Sequence, residues 1–121
     1  MNAKKILVVE DDLIIQLFIE FTLKKIGVEV VGLARSGDET LKLLSNVKPD
    51  LILMDIGLIG DKDGIQTAEI IKSEFKIPFI FMTGNSDEST LLRAKHAEPI
   101  GFIFKPMDEY GLISKLQAYD Q

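Results

Sequence analysis

The chain contains no cysteine and only one histidine, His96, in 121 residues. The first absence removes disulfides, thiolate metal sites, iron–sulfur clusters and cysteine nucleophiles together, and it fits a reducing compartment. The second leaves any zinc site or Ser-His-Asp triad to be built around a single residue, which argues against both. Long apolar runs are missing too. After residues 1–5, with their two lysines, only residues 6–9 precede Glu10, too few for a secretory segment or a membrane span, so a cytoplasmic chain is expected. Basic charge is also scarce: fourteen Lys and Arg against nineteen Asp and Glu leave a net charge of −5. That balance repels phosphate backbones and anionic lipid and speaks against nucleic-acid or membrane-surface binding by this chain. The length suits one domain, residues 1–121, and 46% hydrophobic with 27% charged residues gives enough apolar side chain for a core. Chemistry is then left to carboxylates, Lys, Ser, Thr and backbone.

What is present is an alternation of short apolar runs and helical periodicity. Residues 6–9 form a continuous aliphatic run of the kind buried on both faces of a parallel sheet, ended by Glu10, Asp11 and Asp12. Residues 13–26 have helical spacing, with Ile14, Leu17, Phe18, Phe21 and Lys25 on one stripe and Gln16, Glu20 and Lys24 on another. Gly27 closes that helix. The pattern then repeats as strand 28–34, helix 37–47 and apolar strand 50–54, which Asp55 ends. A Gly-rich loop at 57–64 leads to helix 65–75. Pro78 opens strand 79–82, Thr83-Gly84 ends it, and helix 86–97, strand 102–104 and helix 108–119 follow. Strands alternating with helices call for a parallel sheet covered on both faces and joined by right-handed crossovers. Five such units suit the flavodoxin-like doubly wound α/β fold, (βα)5, with strand order 2-1-3-4-5 and a crevice beyond the carboxyl ends of the strands. Met54, Met82 and the phenylalanines at 18, 21, 79, 81 and 104 are expected in the core. His96, beside Arg93 and Lys95, is expected at the surface.

All the candidate chemistry falls at the strand ends: Glu10, Asp11 and Asp12 after the first, Asp55 after the third, Thr83 after the fourth and Lys105 after the fifth. Each has a plain structural reading: a helix cap, a turn residue, a hydroxyl satisfying a carbonyl, a solvated lysine. One acid suffices for a cap, however, and three beside a fourth repel one another unless a cation joins them. A divalent ion such as Mg²⁺, which takes hard oxygen ligands, answers that. A carboxylate directly after the apolar central strand reads as a nucleophile or a ligand. Two ligands, a carboxylate, a hydroxyl and an ammonium converging on one crevice make a set suited to phosphoryl transfer.

Five motifs stand in order: ILVVEDD at 6–12, LILMDIGL at 51–58, DG at 63–64, FMTG at 81–84 and GFIFKP at 101–106. Over the whole chain they resemble the receiver domain of two-component response regulators, with its CheY-like form of the fold. The resemblance implies that Asp55 is the phosphoacceptor, taking its phosphoryl group from a sensor histidine kinase or a phosphotransfer protein. It implies Mg²⁺ (or Mn²⁺) bound by Asp11 directly, by Glu10 mainly through water, by Asp55 and by the backbone carbonyl of Gly57. Thr83 and Lys105 would hold phosphoryl oxygens, and the bond from Lys105 to Pro106 would be cis. Phe102 would be the switch aromatic moving with Thr83. The fourth helix, fifth strand and fifth helix would then change to control a downstream protein or output domain, or to form a homodimer. Such a chain is not an enzyme beyond promoting its own phosphorylation and dephosphorylation. The loop 58–64 departs from the family pattern, lacking a proline after Leu58 and running one residue longer; Gly57 and Asn85 stand where access of water is tuned. Three alternatives compete. An aspartyl-nucleophile phosphohydrolase would put an acid two residues after Asp55, where Gly57 stands. A flavodoxin-type cofactor binder would need phosphate-binding N–H groups where the three acids lie. Against a phosphorylation-independent binding module stands the complete set Asp55, Thr83 and Lys105.

Overall fold

The computed structural model describes residues 3–84 and 87–119. Strands β1 (Lys5–Val9), β2 (Glu29–Ala34), β3 (Leu51–Asp55), β4 (Phe79–Thr83) and β5 (Gly101–Phe104) form one parallel sheet in the order β2-β1-β3-β4-β5. Helices α1 (Leu13–Lys25), α2 (Gly37–Leu43), α3 (Gly64–Ile70), α4 (Glu88–His96) and α5 (Glu109–Tyr119) connect and cover them. The expected doubly wound order is therefore observed. No helix among the described residues is long and apolar enough to cross a membrane.

The continuous apolar runs have a direct cause. Successive strand residues point to opposite faces, so a strand covered on both sides must be apolar at every position. Leu7, Val9, Ile52, Met54, Phe79 and Phe81 fill one layer, with Ile65 and Ala68 of α3 and Ala94 of α4. Ile6, Val8, Leu51, Leu53, Ile80, Met82 and Ile103 fill the other, with Ile19 and Leu23 of α1 and Leu112 and Leu116 of α5. Each of these side chains larger than alanine contributes about 1.5–3 kcal/mol on burial. The register then lines up the strand ends: Val9 faces Met54, Asp55 faces Met82 and Thr83 faces Phe104. Polar residues that follow the apolar runs are thereby delivered to one edge.

Several expectations need correction. The stripe Ile14, Leu17 and Phe21 faces outward, with Ile14 80% and Phe21 65% exposed, while α1 buries Gln16, Ile19, Thr22 and Leu23. Apolar counting chose the wrong face because Gln16 and Thr22 are satisfied inside: Gln16 Nε2 donates to carbonyls at 3.1 and 3.2 Å, and Thr22 Oγ1 to Phe18 O at 2.9 Å. Phe18 is only partly buried and Lys25 pairs with Glu109 of α5. Phe104 is also exposed. It lies on an edge strand, stacked on Phe102 with ring centres 6.2 Å apart. Met54, Met82, Phe79 and Phe81 are buried as expected, and His96 lies at the surface. The second helix stops at Leu43 rather than 47. The third passes into a π-helical turn, Ile71–Phe75, that Lys76 ends in the left-handed region. In α4, Asp87 is the N-cap, accepting a hydrogen bond from Thr90 N; Asn85 and Ser86 lie outside the described residues.

Candidate functional site

Beyond Val9 the chain leaves the sheet and the three acids part company. Glu10 turns inward and is 1% exposed. Its Oε2 accepts a hydrogen bond from Asp12 N at 3.1 Å. Asp12 turns outward as the N-cap of α1, its Oδ1 accepting from Ile14 N at 2.9 Å and Ile15 N at 3.1 Å. The capping role thus belongs to Asp12, and the expected cluster of four acids reduces to three. Glu10, Asp11 and Asp55 each present a carboxylate oxygen, and these oxygens lie within 4.8 Å of one another.

Asp55, buried at the end of the central strand, accepts a hydrogen bond from Gly57 N at 3.1 Å on Oδ1. The turn reading holds for it. Behind it α3 begins hard against the strand: a Cβ on Gly64 would come within 2.0 Å of the Asp55 carbonyl oxygen, so only glycine fits. Lys105 reaches in from the end of β5, its Nζ 2.6 Å from Glu10 Oε1 and 3.4 Å from Asp55 Oδ1. Its peptide bond to Pro106 is cis. Thr83 is buried beside Asp55's strand, and Phe102 packs on Phe81 with ring centres 5.9 Å apart. The structure therefore brings Glu10, Asp11, Asp55, Thr83 and Lys105 to one edge. Gly57 is exposed next to them.

Lys105 changes the charge balance inferred from sequence. The acids were expected to repel one another unless a metal joined them; the structure puts an ammonium between two of them. Burial still pushes the Glu10 carboxyl up to about 7, with Asp55's charge adding to it, although Lys105 and the Asp12 N–H pull the other way. For Lys105, burial works against the charged form, but its contacts with Glu10 and Asp55 outweigh it and hold the ammonium above the ordinary lysine value.

A pH dependence follows. Glu10 binds its proton more tightly in the folded chain, about 7, than at the ordinary value of 4.5. The folded state then holds more protons between these values, so its contribution to stability is complete below 4.5 and is lost as pH rises through about 7. Without divalent ions, the melting temperature should fall across this window. Glu10→Gln should flatten the slope, and so should millimolar Mg²⁺. Calorimetry over the window checks it; a metal-free wild type whose slope Glu10→Gln leaves unchanged would contradict it.

Two residues at this edge escape sequence reasoning. Gln16, on the buried face of α1, donates to Glu10 O, and the Arg35 guanidinium donates to Asp11 O. No periodicity marks either, since a glutamine in a helix and an arginine in a loop both read as solvent-facing.

The family model of the response regulator receiver domain matches residues 6–117. The chain belongs to this family. The receiver is 31% identical over 114 residues to the transcriptional regulatory protein PdtaR of Mycobacterium tuberculosis, covering 94% of this chain and 55% of that protein. It thus spans about half the length of the curated relatives it matches. It also resembles the signal receiver domain of a modulated diguanylate cyclase from Desulfovibrio desulfuricans, at 30% identity and a TM-score of 0.87, covering 95% of this chain and 91% of that one. A chemotaxis response regulator of Vibrio cholerae shares the fold at 23% identity and a TM-score of 0.85, covering 95% and 97%.

Proposed function

We propose that this receiver, in the cytoplasm, accepts a phosphoryl group on Asp55 from a phosphohistidine of a sensor histidine kinase or phosphotransfer protein, in a Mg²⁺-dependent reaction. The observation that carries the reading is Asp55 itself, a carboxylate fixed at the end of the central strand with Lys105 and two further acids around it. Both of its contacts fall on Oδ1, from Gly57 N and Lys105 Nζ, which leaves Oδ2 as the attacking oxygen. Attack forms the Oδ2–P bond as the P–N bond of the phosphoimidazole breaks, and the departing imidazole takes up a proton. Lys105 then exchanges its carboxylate contacts for a phosphoryl oxygen and the Thr83 hydroxyl binds another. Phe102, which packs on Phe81 and stacks on Phe104, then moves with Thr83, altering the α4-β5-α5 face that meets a downstream protein, an output domain or a second copy. No separate substrate is turned over, so the receiver is not an enzyme in its own right.

The acid cluster fits a divalent ion. Its donors are hard carboxylate oxygens within 4.8 Å of one another, and buried Glu10 Oε1 is met only by the Lys105 ammonium among the described residues. Glu10, Asp11, Asp55 and the Gly57 carbonyl would hold Mg²⁺ or Mn²⁺, which when bound supplies charge neutralisation at the phosphoryl oxygens.

Incubation with acetyl phosphate and Mg²⁺, read by intact mass, tests the reading. A wild type that gains one phosphoryl group supports it, and one that gains none sinks it. The donor protein is offered the outward stripe of α1, where Leu13, Ile14, Leu17 and Phe21 lie exposed just beyond the acids. Leu17→Glu and Phe21→Glu should leave the reaction with acetyl phosphate unchanged. Transfer from a histidine-phosphorylated donor protein should slow by about tenfold or more, as for an interface anchor. Equal slowing with both donors would show that the stripe acts on the site rather than on docking.

A further inference from the structure

Where β1 ends at Val9, the carbonyls of residues 10 and 11 lie beyond the strand, the first of them bonded in a buried setting and the second at the surface. Two side chains supply the donors. Gln16, 5% exposed on the inner face of α1, donates from Nε2 to Glu10 O at 3.1 Å and to Ala34 O at 3.2 Å. The second of these carbonyls also accepts from Glu10 N at 2.9 Å, so one amide ties α1 to the ends of both β1 and β2. Arg35, next along the chain from β2, donates to Asp11 O from Nη2 at 3.2 Å and Nε at 3.4 Å. The two peptide planes that follow Glu10 and Asp11 are thus each held by a side chain from another element. A peptide plane sets the direction of the side chains on either side of it. Turning either one would carry a carboxylate away from the 4.8 Å grouping with Asp55.

We propose that Gln16, with Arg35 as its companion, is a positioning residue for the metal-binding pair Glu10 and Asp11. Neither touches the reacting carboxylate or lies among the clustered acids; they act through the backbone that aims those acids. The inference rests on the reading of that pair as ligands, and the probe is therefore Mn²⁺ alone, followed by electron paramagnetic resonance on the full chain. Gln16→Leu keeps the size and removes the donors; Mn²⁺ binding should weaken by about 10- to 100-fold, as for other residues that orient metal ligands. Both contacts of Gln16 use donor hydrogens only, so Gln16→Met, which matches the length of the side chain without donors, should lose as much affinity as Gln16→Leu. Arg35→Ala removes a positive charge beside the acids, which by Coulomb attraction alone would tighten Mn²⁺; positioning demands weaker binding instead. Ile19→Val, on the same buried face of α1, is the control, lowering the melting temperature without moving Mn²⁺ affinity. Gln16→Leu or Gln16→Met that binds Mn²⁺ as the wild type does overturns the assignment for Gln16. Tighter binding by Arg35→Ala overturns it for Arg35. A wild type that binds no Mn²⁺ at all overturns the ligand reading itself, a separate outcome.

Discussion

Asp55→Asn is expected to gain no phosphoryl group from acetyl phosphate and Mg²⁺ under conditions that fully label the wild type. The amide keeps the shape of the side chain, and its oxygen can still accept the hydrogen bond from Gly57 N that fixes the turn after β3. What it loses is the anionic oxygen that attacks phosphorus; of the neighbouring acids, Glu10 is engaged by Lys105 and Asp12 N, and Asp12 is spent on the helix cap. Stability should move little. The ionic contact of Asp55 with Lys105 at 3.4 Å disappears, but so does its repulsion of buried Glu10, and the net change should stay within about 1 kcal/mol. A folded, unlabelled variant therefore isolates the chemistry. Labelling of Asp55→Asn at the wild-type level would move the acceptor to another residue, with Asp11 the next carboxylate in reach.

The sheet and its order were legible because β1, β3 and β4 are unbroken apolar runs followed or ended by a polar residue, a pattern that burial on both faces demands. The same feature made the site legible, since the residues that end those runs are the ones the register aligns. Helix faces were not legible in the same way. On α1 the stripe Ile14, Leu17 and Phe21 looks like a buried face, yet the helix turns it outward. The reason lies in partners far along the chain: Gln16 can be buried because the Ala34 carbonyl waits for it, eighteen residues away. Charge counting failed for a related reason. Asp12 was counted with the cluster, but a helix start next to it claimed its carboxylate; Lys105 was assigned to an incoming group, but without one its ammonium rests on Glu10 and Asp55. Net charge gives a total, and only the fold decides which charges share a low-dielectric space.

Removing that ammonium should have the largest effect on stability. Lys105 is 17% exposed at the side chain and faces Glu10 at 1% and Asp55 at 8%, so Lys105→Met, which keeps the apolar stem, leaves two buried carboxylates without their counter-charge. Breaking a buried pair from one side costs about 3–5 kcal/mol. Glu10, however, has an escape that an ordinary buried acid lacks: its carboxyl already titrates at about 7, and loss of Lys105 raises it further by removing a contact that favours the anion. At pH 5.5 the variant can take up a proton and stay neutral there, so destabilisation should be small. At pH 8 the proton must be held against the solvent or given up at the price of an uncompensated charge, and the loss should approach about 3 kcal/mol. The sign is fixed by linkage. The raised carboxyl stabilises the fold below 4.5 and loses that contribution as pH rises, and in Lys105→Met the loss extends above the wild-type limit of about 7. Mg²⁺ should restore part of it by replacing one cation with another, while labelling by acetyl phosphate slows by about 10²-fold through the missing contact to the phosphoryl group. Melting curves at the two pH values, with and without Mg²⁺, separate the effects. A variant as stable as the wild type at pH 8 without metal would mean that solvent, not Lys105, balances Glu10 and Asp55, and that the acid cluster is open rather than closed by a resident cation.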